Sequence, residues 1–80
     1  MTVKGIIKAI CEKKGISTRD LAEHLNIAQS SVVHTVSRND GMNMKVENLV
    51  RWLGELDYQI TVQPMFEDGE DLILDGESDF

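Results

Sequence analysis

Residues 17–38 read STRDLAEHLNIAQSSVVHTVSR, and this stretch predicts two short helices joined by a tight turn. Ser17 and Asp20 have the spacing of a capping box, in which each residue satisfies a free N–H group at the start of a helix. Asn26 marks the end of that helix, because asparagine tolerates the left-handed conformation found there. Residues at helical spacing predict one buried stripe, formed by Leu21, Ala22 and Leu25.

The second helix of this stretch is predicted to begin near Ala28 or Gln29. Val32 and Val36 are four residues apart, so they lie on the same face and are expected to point inward. The residues left on or beside the outer face are mostly polar: Gln29, Ser30, Val33, His34 and Ser37.

The segments LAEHL at 21–25 and NIAQSSV at 26–32 closely resemble the helix-turn-helix of the Cro/repressor-like (XRE) family of DNA-binding proteins. Small Ala22 matches the position where two helices of the family approach closely, and the resemblance continues to about Val62. Members often have glycine at the turn, where this chain has Asn26, and serine or threonine at the cap of the second helix, where it has Ala28. Alanine cannot accept the capping hydrogen bond, which costs roughly 1 kcal/mol.

The resemblance implies a mainly α fold: a lambda-repressor-like bundle of four helices, followed by a C-terminal β-strand or β-hairpin. Periodicity places the flanking helices at 3–14 and 45–56, with a loop at 38–44 where Asn-Asp-Gly favours a turn. We assign residues 1–57 to a helix-turn-helix domain.

The C-terminal part changes to the two-residue period of a half-buried strand at 58–66. A turn at 67–70 and a returning strand at 71–75 would complete a hairpin. We assign residues 58–76 to this hairpin and 77–80 to a frayed acidic tail.

Charge is divided unevenly along the chain, whose net charge is −6. Residues 1–54 contain eight Lys and Arg and five Asp and Glu, a net charge of +3. Residues 55–80 contain nine acidic residues and no Lys or Arg, a net charge of −9. DNA affinity depends on the local basic face, so the overall acidity does not exclude it.

Cofactor, metal and membrane functions have little support in the sequence. Cys11 is the single cysteine, which suits a reducing cytoplasm, and residues 1–9 have no signal-peptide pattern. No apolar run approaches membrane-spanning length. His24, His34 and Cys11 lack metal-ligand spacing, and no catalytic motif is present. We therefore expect a cytoplasmic protein that is not an enzyme and needs no metal or cofactor.

The exposed N-terminal part of the second helix of the motif is the candidate surface for reading bases. Glutamine can bond adenine in bidentate fashion, hydroxyl groups donate or accept, and valine can contact a thymine methyl group. The candidates for base contacts are Gln29, Ser30, Ser31, Val33 and His34. The alternative interpretation is an ordinary solvated helix face.

Phosphate contacts are expected on both sides of that surface. The resemblance implies such contacts for Thr18 and Arg19 at the start of a helix, where free N–H groups also attract anions. Arg38, Asn43 and Lys45 could hold the other side of the groove and fix the register on the duplex. Plain solvation is the alternative for each of them.

The sequence thus predicts a small bacterial or phage regulator that binds double-stranded DNA, as a repressor and homodimer on a palindromic operator. The dimer interface could lie on the C-terminal strand, on the fourth helix or on both, and we prefer the strand, at Tyr58, Ile60 and Val62. One alternative is an antitoxin-type autoregulator whose acidic C-terminal segment binds a toxin or another partner protein. A second is a protein-interaction module that keeps the fold without binding DNA.

Overall fold

The computed structural model describes residues 1–77 of the chain, and over this range the protein is mainly helical with a short antiparallel sheet, as predicted. Apart from Glu77, the predicted frayed tail lies outside the described residues. In chain order the elements are α1 (Val3–Lys14), α2 (Thr18–Leu25), α3 (Gln29–Ser37), a 3₁₀ turn (Arg38–Gly41), α4 (Val46–Glu55), β1 (Ile60–Val62) and β2 (Leu72–Leu74).

These elements form two compact units, Met1–Lys45 and a second unit that begins at Val46. The first unit contains α1, α2, α3 and the 3₁₀ turn. The second contains α4 and the hairpin, so α4 groups with the strands.

The first unit buries the apolar stripe that the sequence predicted for α2. Leu21 and Val32 are both 0% exposed, and α3 packs against α2 and α1. The inward orientation predicted for Val32 is therefore confirmed. The buried apolar side chains of this unit are Ile7, Ile10, Cys11, Leu21, Ala22, Leu25 and Val32.

The capping box that starts α2 is present. The Ser17 N–H donates to Asp20 Oδ2 at 2.9 Å, and the Asp20 N–H donates to Ser17 Oγ at 3.2 Å. The hydrogen bond from the Ser17 N–H, and then the one from its hydroxyl, hold the pKa of the Asp20 carboxyl below its ordinary value. This contribution to stability is therefore complete above the unfolded pKa of Asp and is lost as the pH falls through the lowered folded pKa.

Asn26 ends α2 in the left-handed conformation, with φ 57° and ψ 43°, as predicted. Its own N–H donates to the carbonyls of Ala22 and Glu23. The N–H of Ile27 also donates to the Ala22 carbonyl at 3.0 Å, the six-residue closure of a Schellman motif. Backbone hydrogen bonds thus fix the direction in which the chain enters α3.

The predicted loop after α3 has a defined left-handed path. Asn39 and Asp40 have φ values of 49° and 53°, and Gly41 follows at φ 80°. Gly41 is buried, and a Cβ added there would lie 2.9 Å from Cγ1 of Val3. Glycine is required at this point by both the backbone conformation and the close approach to α1.

The second unit confirms the hairpin, but its strands are shorter than predicted. β1 pairs antiparallel with β2 in a register that places Ile60, Thr61 and Val62 opposite Leu74, Ile73 and Leu72. The strand predicted for 58–66 has only three residues in the ladder, and residues 63–71 form the connection in place of a turn confined to 67–70. Pro64 has no N–H to donate, which limits extension of the ladder in that direction.

We predict opposite effects for alanine at two glycines. Gly54 lies inside α4, and a Cβ there would have no atom within 4 Å, so Gly54→Ala should raise the free energy of unfolding by about 0.5–1 kcal/mol. Gly41→Ala, which introduces strain and a clash, should lower it by about 1–3 kcal/mol. Urea unfolding followed by circular dichroism measures both. A destabilised Gly54→Ala protein would contradict the open surroundings of that position.

Candidate nucleic-acid interface

One face of α3 is open to solvent, while Val32 on the opposite face is completely buried. Since the two faces belong to one nine-residue helix, the buried side fixes the direction in which the exposed side chains point. Val33, 45% exposed, is the apolar residue of the outer face. A shallow depression on this face is lined by Gln29, Ser30, Val33, His34 and Ser37.

The structure brings together four of the five residues that we selected for base contacts. Ser31 is exposed but does not line the depression, because it lies on another side of the helix. Ser37 lines the depression, although we did not select it for base contacts. It is one turn beyond Val33, and its place on the outer face in the helical pattern was the signal that could have identified it.

The start of α3 lacks a side-chain cap. Ala28 has the extended backbone of an N-cap residue, with φ −68° and ψ 145°, and makes no side-chain hydrogen bond. Its carbonyl accepts from the N–H of Ser31 at 3.0 Å and from that of Val32 at 3.4 Å. Alanine at this position therefore leaves the N–H groups in the first turn of α3 without a side-chain acceptor.

Ala28→Ser should stabilise the protein by about 1 kcal/mol, because the backbone is already in the conformation that lets a serine hydroxyl accept from the first turn. Thermal unfolding followed by circular dichroism measures the change. Ala9→Ser is a matched control, since Ala9 is exposed and lies within α1. Equal effects at the two positions would contradict a capping role for residue 28.

Thr18 and Arg19 occupy the first turn of α2, and both are exposed. Arg19 Nε lies 3.8 Å from Glu23 Oε1, in an ion pair whose side chains are 78% and 70% exposed. Pairs this exposed contribute little free energy, so a phosphate could displace the glutamate. Thr18 also lines a pocket of the first unit together with residues of α1 and α3, including Ile7, Val32 and Val36.

The other three candidates for phosphate contacts follow α3. Arg38 is the C-cap residue of α3, and its N–H donates to the His34 carbonyl. Asn43 Oδ1 accepts from Asn39 Nδ2 at 3.3 Å, which holds the Asn43 side chain across the 3₁₀ turn. Arg38, Asn43 and Lys45 are all exposed.

The first unit also carries the positive charge that an anionic duplex requires. Residues 1–45 contain seven Lys and Arg and four Asp and Glu, a net charge of +3, whereas residues 46–80 have a net charge of −9. The open face of α3 belongs to the unit with the positive net charge.

The predicted dimerisation residues are accessible in the second unit. Tyr58 is 38% exposed and Val62 is 53% exposed, while Ile60 is half-buried. The facing strand is also exposed, with Leu72 at 65%.

Over residues 1–77, no group of three His, Cys, Asp or Glu side chains is placed to hold a metal ion. In the same range, no helix has both the length and the apolar character needed to span a bilayer. Cys11 is buried, and desolvation raises the pKa of its thiol.

Comparison of the chain with protein-family models, with curated proteins and with solved structures gave no match.

Proposed function

We propose that this protein is a sequence-specific DNA-binding regulator of the Cro/repressor type, acting in the cytoplasm as a homodimer on a palindromic operator. The observation that carries the proposal is the open face of α3, held outward by the buried Val32 and oriented by the left-handed turn at Asn26. In this scheme α3 of each subunit enters the major groove, and bound protein represses by excluding polymerase.

The side chains on this face have the chemistry for base recognition. Gln29 would bond the N6 and N7 atoms of adenine, and Val33 would contact a thymine methyl group. Ser30 and His34 would add hydrogen bonds at neighbouring base pairs. These four side chains line one depression, so they are close enough together to face the same groove.

The surrounding cations would fix the register on the duplex. Arg19 would reach phosphate from one side of the face, and Arg38 and Lys45 from the other. Neutralised phosphates release counterions, so affinity should fall steeply with salt concentration. The acidic second unit would oppose non-specific binding and so favour discrimination between sequences.

Selection of bound fragments from random DNA tests the proposal, and the enriched sequences can then be titrated by fluorescence anisotropy. We expect a palindromic consensus whose affinity declines with salt. The proposal fails if no sequence is enriched and no duplex is retained at low ionic strength.

A second candidate function is supported by the surface of the second unit. Met65 and Phe66 are 85% and 93% exposed, on the acidic segment that has no Lys or Arg after Arg51. An apolar surface with acidic surroundings suits a basic partner protein, as in an antitoxin-type autoregulator. A module that binds protein without binding DNA would use this same surface and leave the face of α3 unused.

A further inference from the structure

The two strands of the hairpin offer different edges to a further strand. Among the described residues, β1 and β2 pair only with each other, so each has one edge that is not in a sheet. Thr61 at the middle of β1 and Ile73 at the middle of β2 face each other in the register, and both are exposed. The hairpin belongs to the same compact unit as α4, and an unpaired strand edge presents backbone N–H and C=O groups to a further strand.

Charge disfavours self-pairing at the β2 edge. Asp71 and Asp75 flank β2 immediately on both sides. If β2 paired antiparallel with β2 of a second copy about Ile73, Asp71 of each chain would face Asp75 of the other. Carboxylates directly opposite each other destabilise a strand pair, and charges at an edge are a common protection against association.

The β1 edge is neutral and complementary to itself. Residues 58–65 contain no charged side chain. Antiparallel pairing of two copies about Thr61 would place Ile60 opposite Val62 and Gln59 opposite Gln63. Aliphatic side chains opposite each other stabilise a strand pair.

We propose that the homodimer forms when β1 pairs antiparallel with β1 of a second copy, centred on Thr61, giving a four-stranded sheet in the order β2-β1-β1-β2. This inference rests on the homodimer of the proposed function, and it adds the strand edge and the register through which the two subunits pair. The register of each hairpin puts four aliphatic side chains on one face, namely Ile60, Val62, Leu72 and Leu74. Pairing about Thr61 joins two such faces, with Val62 and Leu72 still 53% and 65% exposed in one chain.

Disulfide cross-linking tests the register directly. Cys11 is the only cysteine, so Cys11→Ala gives a background in which Thr61→Cys is the single thiol. Across the two-fold axis the Cα atoms of residue 61 would be about 4.5–5.5 Å apart, within the range that a disulfide spans. Ile73→Cys is the matched control, since its two copies would be about 14 Å apart, three strand spacings.

We expect Thr61→Cys to form covalent dimers at least about tenfold faster than Ile73→Cys under mild oxidation, because only the first pair meets disulfide geometry. Equal rates, or a faster Ile73→Cys, would overturn the proposed edge. Circular dichroism establishes that both variants are folded before oxidation.

Sedimentation equilibrium without DNA gives a second measurement on reduced protein. Thr61→Lys places two ammonium groups opposite each other and should weaken dimerisation by about tenfold or more, whereas Ile73→Lys should change it by less than about threefold. A monomeric wild type at all concentrations, or a larger effect of Ile73→Lys, would refute the pairing.

DNA binding is scored separately from dimerisation. A wild-type protein that binds a palindrome but fails the cross-linking test refutes this interface alone. A Thr61→Cys dimer that forms as expected but retains no duplex refutes the proposed function and leaves the interface in place.

Discussion

Arg38→Glu combined with Lys45→Glu should abolish specific DNA binding, with an expected loss of roughly 100-fold or more at moderate salt. Both side chains are exposed, and Arg38 directly follows the face of α3. Under the proposed function, each reversal would remove a phosphate contact and add a charge that repels the backbone of the duplex. The dependence of log affinity on log salt concentration should also become shallower by about two, near 0.9 for each lost contact.

The matched control is Lys4→Glu combined with Lys8→Glu, which changes the net charge by the same amount on α1. This variant should keep most of the specific affinity, because neither lysine lies on α3 or beside it in the chain. Fluorescence anisotropy over a series of salt concentrations compares the two. Equal losses would show that the total charge, and not the proposed surface, governs binding. Unchanged affinity in the Arg38/Lys45 variant would favour the protein-interaction module.

Leu21→Ala should cause the largest loss of stability, about 2–5 kcal/mol. Leu21 is 0% exposed and belongs to the buried stripe of α2, so alanine leaves a cavity in the core of the first unit. Small proteins of this length have a free energy of unfolding of about 4–12 kcal/mol, so the variant would lose a large share of it. Urea unfolding followed by circular dichroism measures the change.

Met42→Ala is the control within the same unit, since Met42 is 56% exposed. Its effect should stay within about 0.5 kcal/mol. A similar loss in both variants would mean that burial in the structure does not describe the folded protein in solution.

The helices were predictable because their limits depend on local chemistry. The structure places α1 at Val3–Lys14, as predicted, where Thr2 caps the start and Gly15 takes the left-handed conformation at the end. The turn at Asn26 and the box formed by Ser17 and Asp20 likewise involve neighbours a few residues apart. Such interactions are visible in a single sequence.

The limits of the strands were not predictable in the same way. Alternation continues through residues 58–66, yet only three residues of β1 find partners in β2, because pairing depends on a segment ten residues away. The place of Ser31 could have been predicted, because the helical pattern had already left Ser31 off the outer face of α3, and the depression is lined by the five residues of that face. Asn39 and Asp40 are left-handed, and Gly41 after them lies close to Val3 of α1, a contact between residues far apart in the sequence.

The buried thiol of Cys11 can be used to measure how well the fold protects the core of the first unit. Cys11 lies among the core residues of α1, and burial raises the pKa of its thiol, so folding should slow its reaction with an alkylating reagent. Because it is the only cysteine, the labelling half-life measures this protection without any engineered probe. If an operator binds the folded state, it should stabilise that state and slow the labelling of the thiol further.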